Sequence, residues 1–406
     1  MVGMSKRAII AVGDCLEPLA LGATRKALQR DYKPSGRFPI VDQGQNLIAG
    51  WTDDDAGLIS TNLPVVVFGD HTRRFKYVDF PFVRGADGTQ ILRPKSGMDP
   101  LFFYYACKAI DLPTRAYNRH LKALKEREIP KPPRHEQVGI AQALLRIECA
   151  ISSQDEQIRT LAELKRAAMQ ALFTRGIRGD VQKETEIGPL PENWELKPLC
   201  DHFSVVSGGT PSRRISEFWH NGCIPWVKTT EIDYCVIQET EEYVTQAGMN
   251  QSAAKLLLPG TLLLAMYGQG VTRGKVAILG VEATCNQACA AIAPKDCIVD
   301  AKYLYHFLSF RYESIRQLAH GGQQQNLNLE IVRNLPIAIP EDKDSQREIV
   351  SILDAIDRKI NLHRRKRAVL GDLFKVLLHK LMTGEIWVTH LDLSALVHDA
   401  KRQGNI

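Results

Sequence analysis

The sequence predicts an α+β chain built from two mixed modules, each followed by a long amphipathic helix. Three observations carry this expectation. A heptad pattern of apolar residues that begins at Gln137 returns at Gln346, 209 residues later. Each copy follows a proline-interrupted, strand-like segment, EIPKPP (Glu128–Pro133) and LPIAIP (Leu335–Pro340). Upstream of each lie short strand-like runs broken by glycine turns.

Composition narrows the function classes. The chain has 406 residues, 44% hydrophobic and 24% charged, a soluble globular balance with room for two or three cores. No apolar run reaches the roughly 18 residues that span a bilayer, and the start, MVGMSKRAIIAVGD, holds too short an apolar stretch for a secretory signal. A cytoplasmic location is expected. The nine cysteines are odd in number and lack paired CxxC spacing, so they read as buried thiols in a reducing compartment. Cys285 and Cys289, four apart, would share a face if that segment were helical, but packing is the stronger reading than metal binding. A formal charge of +6 permits nucleic-acid binding without requiring it.

The repeat sets Ile140 on Ile349, Leu144 on Leu353, Ile147 on Ile356, Ile151 on Ile360, Leu161 on Leu370 and Leu172 on Leu381. With Leu377, these thirteen side chains form the expected interface of an antiparallel helix pair, because a helix with one apolar stripe must cover it. Polar residues interrupt the seam differently in the two copies: Gln154 against His363, Ile158 against Arg367, Lys165 against Phe374. Ser345 and Glu348 suggest a capping box; Pro133 and Pro340 precede the helices, and Gly176 and Gly384 follow them. Each helix should run about 38 residues, roughly 57 Å. The expected division is a first module over 1–128, a helical region over 129–184 (helix 135–175), a second module over 185–336, a second helical region over 337–390 (helix 345–383) and a tail over 391–406.

Both modules read as mixed, with strand-like Pro64–Phe68 and Leu256–Met266 and helical Leu101–Ile110 and Ala301–Leu318. Outside the helices and their approaches the modules look unlike each other. Polar, glycine-containing loops recur in both. The first module offers Gln43 and Gln45, then His71, Thr72, Arg73, Arg74 and Lys76; the second offers Thr210, Ser212 and Arg213, then Tyr267, Gln269, Arg273 and Lys275, then Gln323, Gln324 and Asn326. Arginine and lysine suit guanine and phosphate, glutamine and asparagine suit adenine, and glycine admits close backbone approach. Each loop alone is more simply a turn; together they point to DNA.

Catalytic signatures are missing. GQGVTRGKV (Gly268–Val276) fails as a phosphate-binding loop, because Gln269 replaces the first glycine and Val276 the hydroxyl that would hold magnesium. There is no HExxH and no Asn/Asp-Pro-Pro-aromatic motif of the kind amino-methyltransferases use. Asp70 beside His71 has no accompanying nucleophile. The chain is expected to bind rather than react.

Several longer segments resemble one family. GPLPENWELKPL (Gly188–Leu199), SGGTPSRR followed by IPWVKTTEID, LLPGTLLLAMYGQGVTRGKVAIL, CNQACAAI and IAIPEDKDSQREIVSILDAIDRKI, in that order, are similar to the DNA-specificity (S) subunit of type I restriction-modification systems. FGDHTRRFKYVDFPFVRGADG and YNRHLKALKEREIPKPPRHEQ extend the resemblance through the first half; Arg119 and Lys228 within these segments complete the candidate DNA-binding set. The N-terminus departs, being short before the first motif and without a clear counterpart of GPLPENWEL. The resemblance implies two target-recognition domains separated by long helices in a pseudo-twofold antiparallel coiled coil, reading an asymmetric bipartite double-stranded DNA site. It implies no catalysis and no cofactor in this chain. Two modification subunits using S-adenosylmethionine and restriction subunits using ATP and magnesium would act as partners. The competing expectation is a coiled-coil scaffold with only nonspecific DNA contact.

Overall fold

The structure, a computed structural model, describes residues 7–18, 25–112, 120–268, 271–318 and 326–392. It divides into two compact units: Met1–Glu156 with His363–Ile406, and Gln157–Leu362. Each takes part of both long helices. The mixed α+β class is as expected.

In the first unit, β1 (Ile9–Ala11) pairs antiparallel with β9 (Glu128–Pro130). A four-stranded sheet follows the order β3 (Gly50–Thr52), β2 (Phe38–Val41), β7 (Phe82–Arg84), β4 (Leu58–Ile59); β2 runs antiparallel to β3 and parallel to β7. A second sheet centres on β5 (Val65–Gly69), between β6 (Phe75–Val78) and β8 (Thr89–Leu92). Its unbroken apolar run, Val65 to Phe68, is buried on both faces. Helix α1 (Pro100–Lys108) starts at Asp99, whose carboxylate accepts from the Leu101 and Phe102 amides, with Pro100 at the first helical position. Its Phe102, Phe103 and Tyr105 join one core with Ile140, Leu144 and Ile147 of α3 (Arg134–Arg175) and Phe374, Leu377 and Leu381 of the second long helix. A short α2 (Leu121–Lys125) precedes β9.

The second unit opens on a hairpin, β10 (Gln182–Thr185) with β11 (Gly188–Pro191). Then β12 (Glu195–Pro198) pairs antiparallel with β21 (Pro336–Ile339). After the single turn α4 (Leu199–His202) comes β13 (Phe203–Ser207); β14 (Ile224–Val227) runs antiparallel to β16 (Glu242–Val244) and parallel to β19 (Thr284–Cys285). The larger sheet has the order β13, β20 (Cys289–Pro294), β17 (Leu262–Ala265), β18 (Val276–Leu279), β15 (Val236–Ile237). Helix α5 (Gln246–Asn250) lies between β16 and β17; α6 (Ala301–Phe310), α7 (Tyr312–Gln317) and α8 (Leu329–Arg333) follow β20. Phe173 of α3 packs among Tyr303, Phe307 and Phe310 of α6, in a core that also takes Leu172, Ile349 and Leu353.

These topologies correct the expectation that the modules are unlike. FPIV in β2 and IPWV in β14 occupy the same place, each with an antiparallel partner on one side and a parallel one on the other. Strand β1 on β9 is the counterpart of β12 on β21, so the lead-in strand missing from the sequence comparison is Ile9–Ala11. Asp300 caps α6 as Asp99 caps α1, accepting from the Lys302 and Tyr303 amides.

The repeat's anchor residues have a common task. Gln137, 1% exposed, accepts from the Asp99 amide at 2.7 Å and donates to the Gly97 and Pro132 carbonyls. Gln346, 2% exposed, accepts from the Asp300 amide at 2.9 Å and donates to the Ile298 carbonyl. In each unit a buried amide on the long helix satisfies backbone groups of the loop that starts α1 or α6. Apolar packing cannot do this, because it would leave those groups unpaired in the interior.

The long helices run Arg134–Arg175 and, for α9, Lys343–Thr383. Gly176 and Gly384 end them in the left-handed region, φ +65° and +83°. Ser345 lies inside α9 rather than at its start; Asp342 supplies the cap, accepting from the Ser345 amide and hydroxyl. Among the seam residues Ile140, Leu144, Ile147, Leu172, Ile349, Leu353, Ile360, Leu377 and Leu381 are buried, while Ile151, Leu161, Ile356 and Leu370 are half-buried. Leu256–Met266 is strand only over Leu262–Ala265, because Gly260 turns the chain at φ +88°. Cys149, Cys223, Cys235 and Cys297 are exposed, against the expectation of buried thiols, and Cys285 and Cys289 sit on strands rather than one helical face. Among the described residues no group of side chains is arranged to hold a metal, and no helix is long and apolar enough to cross a membrane.

Replacing Gln346 with leucine strands the Asp300 amide and the Ile298 carbonyl. Urea unfolding followed by tryptophan fluorescence should show a loss of about 2 kcal/mol. A second prediction concerns Asp354 on α9, which binds buried His306 at 2.9 Å and Lys302 at 2.7 Å. The hydrogen bond from His306 is the main reason its carboxyl falls to about 2. A carboxyl lowered by folding contributes stability above its unfolded pKa near ~4 and loses it as pH falls towards ~2. Acid unfolding should therefore steepen in that window, and Asp354→Asn should flatten it.

Candidate nucleic-acid interface

In both units the polar loops gather where the sheet strands end. In the first, β2 leads into residues 42–47, β5 into 70–74 and β7 into 85–88. Gln43 ties them together. Its Nε2 donates to the Asp87 carbonyl at 2.9 Å, its Oε1 accepts from the His71 amide, and its carbonyl accepts from the Thr72 hydroxyl at 2.7 Å. Buried Asp70 accepts from the His120 and Leu121 amides at 2.7 and 2.8 Å, capping α2 from a distance. Asp70 thus has a structural task at the start of α2.

Several sequence-predicted site residues turn inward. Lys76 is 7% exposed; its ammonium donates to the Asn46 carbonyl and lies 3.6 Å from Asp42, and burial pushes its pKa down. Arg73 adopts φ +58° at the tip of the β5–β6 turn and donates to the Leu112 carbonyl at 2.9 Å. Gln43 is spent on loop bridging. What remains outward in this unit is Gln45, His71, Thr72 and Arg74, all exposed. Arg119 lies outside the described residues.

In the second unit, β13 leads into 208–214, β14 into 228–231, β17 into 266–268, with 271–275 leading on into β18, and β19 into 286–288. Gly208 and Gly209 donate to the Cys289 and Cys285 carbonyls, and Thr210 donates to Gln287. The Asn286 amide bonds Val227, and the Met266 and Leu327 amides bring in the other two loops through Ala288 and Met266. Arg213 lies with its guanidinium carbon 3.6 Å from the Trp219 ring centroid and donates to Glu242. Lys228 reaches Glu241 at 2.7 Å and Glu242 at 3.1 Å, and those bonds raise its pKa. Arg213 and Lys228 in turn hold the Glu242 carboxyl below its usual range. Lys275 pairs with Asp233 at 2.6 Å, and Arg273 is 8% exposed, so neither presents an open cation. Ser212, Tyr267 and Asn326 are exposed. Gln269, Gln323 and Gln324 lie outside the described residues. The sequence reading missed Trp219, Trp226, Glu242 and Gln287. The available signal was the WHNGCIPW spacing of two tryptophans just after an arginine pair.

Residues 191–371 match the family described as the type I restriction modification DNA specificity domain. The chain is 26% identical over 344 residues to the type I restriction enzyme EcoR124I/EcoR124II specificity subunit of Escherichia coli, covering 82% of each chain. Over these stretches the chain is similar to type I specificity subunits. Another relative, the type I restriction enzyme MjaVIII specificity subunit of Methanocaldococcus jannaschii, is also 26% identical, over 73% of this chain and 72% of its own. A crystal structure of a type I restriction-modification system S subunit from M. genitalium shares the specificity-subunit fold, with a TM-score of 0.66 at 15% identity over 94% of this chain and 98% of that one.

The close weave of the loops makes a prediction. A Cβ on Gly208 would stand 2.1 Å from the Cys285 carbonyl oxygen and 2.4 Å from that of Asn286. Both are backbone atoms, so Gly208→Ala should cost about 1–3 kcal/mol in urea unfolding.

Proposed function

We propose that this chain is the DNA-reading subunit of a type I restriction-modification complex, without catalysis of its own, and that it binds an asymmetric bipartite target in the cytoplasm. The target-recognition domains are residues 1–128 and 185–336, each laying its loop end against one half-site. The two long helices pair antiparallel about a pseudo-twofold and space the domains. Their outer faces dock two modification subunits, and restriction subunits complete the assembly. S-adenosylmethionine belongs to the former, ATP and magnesium to the latter.

The observation that carries this reading is the repeated loop end. Two modules of matching strand topology present different polar side chains at their strand-end loops, His71 and Arg74 after β5 in one, Tyr267 after the matching β17 in the other, with Ser212 and Arg213 after β13 beside it. Matching frames with unlike contents suit two unlike half-sites read in opposed orientations. The pseudo-twofold finds support at Gln154 and His363. They are repeat equivalents, 209 residues apart, and hydrogen-bond each other at 2.8 Å. Equivalent residues of two antiparallel helices meet only where the axis runs. A helix of 42 residues spans at most roughly 63 Å, under two turns of duplex at ~34 Å per turn.

Selection from random duplexes with the modification subunit present should enrich two different half-sites separated by a fixed unread spacer. Adding one helical turn to α3 and one to α9 should change the spacer and leave the half-sites unchanged. Enrichment of no motif would favour the coiled-coil scaffold, and altered half-sites would remove the spacing role of the helices.

A further inference from the structure

We infer that Arg213 is a specificity-determining residue of the second domain, a bidentate reader of one guanine, held for that task by Trp219, Trp226 and Glu242. The inference rests on the DNA-reading function above and adds the base. The sequence offers Arg213 only as a cation in a polar loop, and the structure gives it a defined setting. The Arg213 guanidinium carbon lies 3.6 Å from the Trp219 centroid and 4.8 Å from that of Trp226. The two indoles meet edge to face at 5.0 Å and 87°. Each is fixed by its own N–H, Trp226 to the Gly209 carbonyl at 2.9 Å and Trp219 to the Ser212 carbonyl at 3.1 Å. The platform is thus bonded to the very loop that carries Arg213. Trp226 is 3% exposed and belongs to the interior, whereas the Arg213 side chain is 51% exposed.

The fork is only half used. Nη1 donates to Glu242, a carboxylate that Lys228 also holds at 3.1 Å. Among the described residues Nε and Nη2 have no hydrogen-bond partner. A guanidinium stacked on one face and tied at one corner has a single edge left, two parallel donors in a fixed plane. Guanine presents O6 and N7 side by side in the major groove and fits that edge; other bases offer no such acceptor pair. A phosphate would also accept these donors, but it makes no demand for a fixed plane. The Glu242 carboxylate beside the fork already balances much of its charge, which weakens its pull on an additional anion.

The test is methylation mapping of DNA from cells that carry this chain and its modification subunit, comparing the wild type with R213K and R213A. R213K keeps the charge and the aliphatic stem over Trp219, so it keeps the platform while losing the planar fork. The expected result is a guanine in one half-site of the wild-type motif that becomes degenerate in both variants. Discrimination at that position should fall roughly tenfold or more, with the other half-site unchanged. A wild-type motif retained at full stringency by R213K overturns the inference, as does a uniform loss of methylation in R213A with no change in motif, which is the mark of a phosphate contact or a purely structural role. A wild type that selects no sequence overturns the DNA-reading function and this inference with it; the R213K outcomes overturn the inference alone.

Discussion

A helix of some forty residues with one apolar stripe needs cover along its whole length, and the architecture of each unit follows from supplying it. In the first unit the cover comes from α1, whose Phe102, Phe103 and Tyr105 meet Ile140, Leu144 and Ile147. In the second it comes from α6, whose Tyr303 and Phe307 close around Phe173. Apolar contact of this kind is strong but directionally loose, since burial is nearly proportional to area. Direction comes from the buried glutamines. Gln137 and Gln346 each carry one acceptor and two donors into a dry interior, and only one placement of the α1 or α6 start satisfies them. The module is fixed to its helix by geometry as well as by area.

That division of labour explains what the sequence made legible. The helices were readable to within two residues at each end because a heptad seam, a proline upstream and a left-handed glycine downstream are local signals. Gln137 and Gln346 were visible as the first matched residues of the repeat, but their partners were not, since Asp99 and Asp300 lie some forty residues upstream. The kinship of the modules was hidden for another reason. Strand pairing is read by backbone groups and tolerates Phe-Pro-Ile-Val in one module and Ile-Pro-Trp-Val in the other. Loops of unequal length between strands then break the constant offset that made the helices align.

The candidate interface was legible at the level of loops and illegible at the level of side chains. Every loop singled out for its glycine and polar content, where described, lies at the strand-end edge of its unit. Yet Lys76, Arg73 and Arg273 turned inward, and Lys275 is spent on Asp233. A cation beside a glycine turn has two stable options, solvent or a cluster of loop carbonyls, and composition does not choose between them. The tryptophans beneath Arg213 went unnoticed because large aromatic residues read as core, which Trp226 is.

The inward cations are part of how such an edge functions. Loops that read bases must hold their shape before DNA arrives, because ordering them on contact would subtract from affinity. Lys76 closes the turn at Asn46, Arg73 ties the β5–β6 tip to Leu112, and Gln43 bridges two further loops. Each removes a potential DNA contact and returns a fixed surface from which Arg74 and His71 project. In the second unit the same exchange occurs within one residue, since Arg213 gives one corner of its fork to Glu242 and keeps the other edge. Net charge is therefore a poor measure of this interface. Lys76, Arg73 and one corner of Arg213 hold loops in place, so a formal charge of +6 says little about which donors point outward.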